Sequence, residues 1–163
     1  MLVYHGSIQK VEDASIKYSR KNMDFGCGFY VTKIKKQAKI WAQRKKLILN
    51  KKTAYINIYE LNKEYTECNY KLFQKADSEW LDFVCNCREG KAIYKKYDVI
   101  EGPVANDKVY TVVDMYRKGL WDKDKTLKDL KFYKVSNQIC LVRQKIIDKY
   151  LRYVKCEEIE DGE

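Results

Sequence analysis

The chain is poor in several things, and each shortage narrows what it can be. It has one proline and one histidine in 163 residues, and no repeat, low-complexity segment or linker divides it. A single domain over residues 1–155 is expected, followed by an acidic tail over residues 156–163. No apolar run approaches the roughly 20 residues that a membrane helix needs. The opening MLVYHGS has neither a basic n-region nor an apolar h-region. A cytoplasmic protein without membrane attachment is therefore expected. Six cysteines are present (Cys27, Cys68, Cys85, Cys87, Cys140 and Cys156), and without a secretory signal they read as reduced thiols. No metal site is expected. Zinc asks for Cys-x-x-Cys pairs or spaced histidines, and Cys85-Asn86-Cys87 stands alone beside His5, the sole histidine.

Positive charge is what the chain has in plenty. Thirty-three Lys and Arg against 23 Asp and Glu give +10, and five of those acids lie in the final CEEIEDGE, so residues 1–155 carry +15. Such a body attracts polyanions: nucleic acid, nucleotide phosphates or an acidic partner. A content of 45% hydrophobic residues with 14 tyrosines describes a folded protein rather than a disordered one.

Periodicity supplies the elements. LVYHG (residues 2–6) and GFYVT (28–32) read as short strands, separated by a loop with room for one helical turn. From Lys35 to Leu49, Ala38, Trp41, Ala42 and Ile48 recur on one helical face with lysines opposite. Residues 53–61 alternate Tyr55, Asn57 and Tyr59 against Ile56 and Ile58 as a strand does, and YKLFQ (70–74) is a weaker one. SEWLDFVCNCR (78–88) opens behind Asp77 as a helix with Trp80, Leu81 and Val84 on one face. A strand over 97–103, a helix over 106–119 and a short helix over 126–131 follow. The end reads as strand (137–142), short helix (144–151) and strand (152–159). The mixed order points to α+β with antiparallel sheets.

Two stretches carry a resemblance. LVYHGS and FGCGFYV, with Trp41 eleven residues after Tyr30, resemble the first two motifs of the poly(ADP-ribose) polymerase and diphtheria-toxin branch of the ADP-ribosyltransferases. The resemblance implies split antiparallel sheets with flanking helices around an NAD cleft. It also implies roles: the backbone of Gly6 for the nicotinamide carboxamide, His5 for the adenosine-side ribose, and Tyr30 with Trp41 for the nicotinamide ring, with Ser7 and Gly28 among the cofactor-binding residues. Physically, a flat aromatic leaving group wants aromatic walls. An oxocarbenium-like state wants polar groups on the ribose.

In the third motif, NQICLVRQKIIDKYL, Gln138 stands where that branch has its catalytic glutamate. An amide can hydrogen-bond a hydroxyl but brings no negative charge, and Ala38 stands where polymerases have a serine. Mono-transfer with Gln138, His5 and Tyr30 as the catalytic set is the expectation, rather than polymer growth. Among other acids, Asp24 is expected to face the pocket, while Glu79 and Asp82 face solvent and Asp107 opens a helix; Arg20 is a candidate diphosphate contact. The chain also resembles small uncharacterised bacterial proteins that share DFGxGFYxT, EWLDF, GPVANDKVY and a late Asn-Gln-Ile. Those resemble toxin-like effectors with small antitoxin-like partners. The expected co-substrate is NAD and the acceptor a nucleic acid or protein. The alternatives are a module that binds NAD, ADP-ribose or nucleic acid without turnover, and a nucleic-acid-binding protein with a vestigial cleft.

Overall fold

The computed structural model describes residues 1–160 and, at Asp107, the backbone alone. Its elements run β1 (Leu2–Ser7), β2 (Phe29–Val31), α1 (Lys35–Ile48), β3 (Tyr55–Leu61), β4 (Tyr70–Leu72), α2 (Ser78–Arg88), β5 (Val99–Pro103), α3 (Asp107–Arg117), α4 (Lys123–Leu130), β6 (Asn137–Leu141), α5 (Gln144–Tyr150) and β7 (Leu151–Glu158). Short 3-10 turns occupy Ile16–Tyr18, Lys63–Glu67 and Ala92–Lys96.

The fold is α+β with two sheets. One has the order β1-β3-β7 and the other β2-β6-β5-β4. Every pairing is antiparallel except β4 with β5, which run parallel. The expectation of purely antiparallel sheets is corrected there. A parallel neighbour needs a crossover, and α2 supplies it between β4 and β5. The two sheets join where Tyr4 of β1 and Thr32 exchange both backbone hydrogen bonds, at 2.8 and 2.9 Å.

Four layers result. Ala38 of α1 packs with Ile56 and Ile58 of β3 on the outer face of the first sheet. The opposite face, with Val3, Tyr59 and Leu61, meets Val31, Ile139 and Leu141 of the second sheet. Beyond that sheet Ile100 and Cys140 pack against Trp80, Leu81 and Val84 of α2 and Val113 of α3. Strand β3 is thus buried on both faces, Asn57 and Tyr59 as fully as the isoleucines. Helix α1 and β1 approach closely because position 6 is glycine: a Cβ there would lie 2.1 Å from the Ala38 carbonyl.

The expected face of α1 holds for Ala38 and Ala42, both fully buried, but Ile48 is 80% exposed and Trp41 half-buried. Helix α4 begins at Lys123, before the expected Thr126, because Asp122 caps it by accepting from the Lys125 backbone at 2.8 Å. The first residues of the acidic stretch, Cys156–Glu158, belong to β7, where Glu157 pairs with Lys35 at 2.5 Å. Residues 161–163 lie outside the described residues. Among the described residues all six cysteines are free thiols, and no helix is long and apolar enough to cross a membrane.

Candidate functional site

The turn Asp24-Phe25-Gly26-Cys27-Gly28 leads directly into β2. Gly26 sits at φ +74° with the Tyr94 ring 2.1 Å from where a Cβ would be, so only glycine fits. Two residues into β2, the Tyr30 hydroxyl donates to the Gly26 carbonyl at 2.6 Å and accepts from the Phe25 backbone at 3.1 Å. The tyrosine therefore clamps the turn that precedes it. Burial, with Cys140 and Asp24 nearby, raises the Tyr30 pKa well above the usual tyrosine value, so the hydroxyl stays a neutral donor.

His5, on β1, is oriented by the same strand: its Nδ1 lies 2.7 Å from the Tyr30 carbonyl, and its ring stacks on Phe29 at 4.6 Å between centroids. A carbonyl only accepts, so Nδ1 carries the proton and Nε2 is left as an acceptor. Loss of solvation, then the charge of Lys45, lowers the His5 pKa to about 3. The ring is neutral at any physiological pH.

Asp24 is buried and its carboxylate is fully engaged. Oδ1 accepts from Arg88 Nε at 2.9 Å and Nη2 at 2.5 Å. Oδ2 accepts from the Ala105 backbone at 2.8 Å and from Gln138 Nε2 at 3.1 Å. Arg88, at the end of α2, also donates to the Ala105 carbonyl at 3.0 Å. Four donors fill the four acceptor positions that a carboxylate offers. Four segments far apart in sequence, the Gly-x-Gly turn, the end of α2, the Ala105 loop after β5 and the start of β6, are tied at this point.

These groups face a cavity of about 580 Å³. His5, Arg20, Asp24, Tyr30, Trp41 and Gln138 all line it, so most of the expected site residues come together. Helix α1 contributes Trp41, Arg44, Lys45 and Ile48, a single helical stripe, and α3 contributes Tyr110 and Arg117. Ser7 and Gly28 line an adjoining cavity of about 710 Å³. The two cavities share His5, Arg20, Met23, Tyr30 and Lys45 as walls. Gly6 is not part of either wall: it lies beneath α1, and its carbonyl accepts from Lys45 Nζ at 2.7 Å. Glu79 and Asp82 sit away from both cavities, paired with Lys71 and Lys123.

Lys45 stands out electrostatically. Loss of solvation, then the nearby Arg20 guanidinium, lowers its pKa from 10.5 to about 8. Both cations line both cavities and so stand at their junction. Asn57 of β3 supports the second cavity from below, accepting from the Val11 backbone at 2.8 Å and donating to the Gln9 carbonyl at 3.2 Å. Among the described residues no three His, Cys, Asp or Glu side chains gather as metal ligands.

Residues 1–153 match a family described as a protein of unknown function, DUF3990. The chain belongs to that family. The DUF3990 match takes in strands β1 to β6, the start of β7, all five described helices and every cavity-lining residue named above. No curated protein and no solved structure matches the chain.

Sequence reasoning missed Lys45, Arg88, Asn57 and Tyr110. Lys45 was within reach, because it lies four residues after Trp41 and so on the same helical face. Asn57 carried a weaker sign, a polar residue alternating with tyrosines in a strand. Nothing local marks Arg88 as the partner of Asp24.

Proposed function

We propose that the joined cavities bind NAD and that the protein is an NAD-dependent mono-ADP-ribosyltransferase acting on a nucleic-acid or protein acceptor. The junction carries this reading. A dinucleotide has two ring-bearing halves linked by a diphosphate, and here two cavities share two cations, Arg20 and Lys45, in their common wall. On one side Tyr30 and Trp41 offer aromatic walls for nicotinamide. His5 Nε2 and the Gln138 amide oxygen are acceptors for ribose hydroxyls. In the transfer, the bond between the ribose anomeric carbon and nicotinamide breaks and its electron pair leaves with nicotinamide. The acceptor then bonds to that carbon and loses its proton. A basic body suits a polyanionic acceptor, and a toxin-like effector with a small antitoxin-like partner belongs to the same reading.

A second reading, NAD or ADP-ribose binding without turnover, is favoured by one feature. Among the described residues lining the first cavity, Asp24 is the only carboxylate, and Arg88 already neutralises it. An oxocarbenium-like state would meet no uncompensated negative charge.

The test is nicotinamide release from NAD by the purified protein, alone and with RNA, DNA or lysate, beside NAD-induced thermal stabilisation. Release that is lost in Tyr30→Ala establishes the transferase. Stabilisation without release establishes the binding module. Neither response defeats both.

A further inference from the structure

The amide at position 138 is matched by its surroundings. Its Nε2 donates to Asp24 Oδ2, and that carboxylate is locked from the other side by the Arg88 guanidinium and the Ala105 backbone. Both charged partners are about nine-tenths buried, with side chains 10% and 9% exposed. A carboxylate cannot donate, so the amide nitrogen must face it, and the amide oxygen is the end left for the cavity. A glutamate in place of Gln138 would set a second carboxylate against the first, about 3.1 Å away.

We propose that Asp24 and Arg88 are positioning residues that make glutamine the working side chain at position 138. They fix its amide so that Oε1 meets a ribose hydroxyl of the bound dinucleotide. Gln138 is then the residue this site is built around, not a damaged glutamate. The assignment rests on the NAD reading for its ligand, but the network itself does not.

The consequence is a pH dependence in the variant over and above that of the wild type. In Gln138→Glu two carboxyls share one small space, and one is driven to hold a proton. Once protonated, the introduced carboxyl donates to Asp24 as the amide does and restores the native pattern. The groups packed around the pair are Arg88 and Cys87 of α2, Tyr30 of β2, Cys140 of β6 and, stacked over Arg88 at 4.4 Å, Tyr110 of α3, with His5 of β1 on the wall of the same cavity. Burial pushes the Cys87 thiol up to about 12, raises Cys140 and Tyr30 further, and holds His5 at about 3. Protonation of the unfolded-state His5 below pH 6.5 lowers the stability of every variant alike, so a change between pH 5 and pH 7 in the difference between Gln138→Glu and wild type reports the new pair.

The experiment compares NAD-induced stabilisation and ligand-free melting of wild type, Gln138→Glu, Gln138→Met and the double variant Asp24→Asn with Gln138→Glu, from pH 5 to pH 7. Gln138→Glu is expected to bind NAD about tenfold more weakly at pH 7, to recover toward pH 5, and to melt relatively higher in acid than wild type. In the double variant the new amide can donate to the new carboxylate, so that pH dependence is expected to disappear. Gln138→Met, uncharged and similar in size, should weaken NAD binding equally at every pH. A Gln138→Glu protein that binds NAD like wild type at pH 7 overturns the proposal, and so does unchanged NAD binding in Gln138→Met. If wild type shows no NAD response, the NAD reading fails. The ligand-free melting of Gln138→Glu then decides the network alone: a profile parallel to wild type refutes it.

Discussion

Two carboxylates are buried among the described residues, Asp24 and Glu101, at 6% and 5% exposed, and the fold satisfies them differently. Glu101 of β5 accepts from Lys33 Nζ at 2.7 Å and from the Tyr65 and Tyr70 hydroxyls at 2.8 and 2.9 Å. Its cationic partner is 45% exposed, and the other two donors are neutral. Asp24 has a buried guanidinium, a backbone N–H and an amide. Glu101 shares its sheet face with Ile139 and the core between the sheets, whereas Asp24 touches Gln138 on the opposite face, at the cavity. One carboxylate knots strands together. The other does the same for α2 and β6 while holding a polar group ready on an open wall. A buried charge costs several kcal/mol unless it is paired, so both knots are stabilising only as complete sets.

The sharpest way to break the comparison is Asp24→Ala. It strands a buried Arg88 and leaves the Ala105 N–H and Gln138 amide without an acceptor, and about 3–5 kcal/mol of stability should be lost, read by chemical denaturation. Glu101→Gln should cost less, about 1–2 kcal/mol, because Lys33 can return to water and the amide oxygen still accepts from one tyrosine. If Glu101→Gln proves the more damaging, the contrast drawn between the two knots is wrong. Tyr30→Phe removes the hydroxyl bridging Gly26 and Phe25 and is expected to cost about 1 kcal/mol; under the NAD reading, ligand-induced stabilisation falls with it as the turn loosens.

The smallest effect is electrostatic. The folded-state pKa of Lys45 lies near 8, below its ordinary 10.5, so between those values the unfolded chain binds more protons than the native one. Stability of the wild type should therefore rise across pH 8 to 10.5 relative to Lys45→Met. Affinity for a diphosphate should fall over the same rise in pH, as the cation is lost. Melting curves of both proteins through that range, with and without pyrophosphate, check both signs. A wild type that tracks Lys45→Met throughout would remove Lys45 from the junction.

The sequence alone determined the local elements and the residues that answer to short spacing. Trp80, Leu81 and Val84 recur on one side of α2 because a helix repeats every 3.6 residues, and all three are fully buried. The Gly-x-Gly turn before Tyr30 was legible because glycine alone tolerates its backbone. His5, Tyr30, Trp41 and Gln138 were picked out from spaced motifs and do share one cavity. Strand order, the parallel β4–β5 pair and the exposure of Ile48 were not legible, since they depend on which surfaces meet rather than on any local period. The Asp24 knot shows the limit most clearly. Its partners lie 64, 81 and 114 residues away, and no pattern in the sequence says which arginine or which amide will reach a given carboxylate. Only the assembled sheets and α2 bring those groups within hydrogen-bond distance, where burying the charge leaves it no other partners.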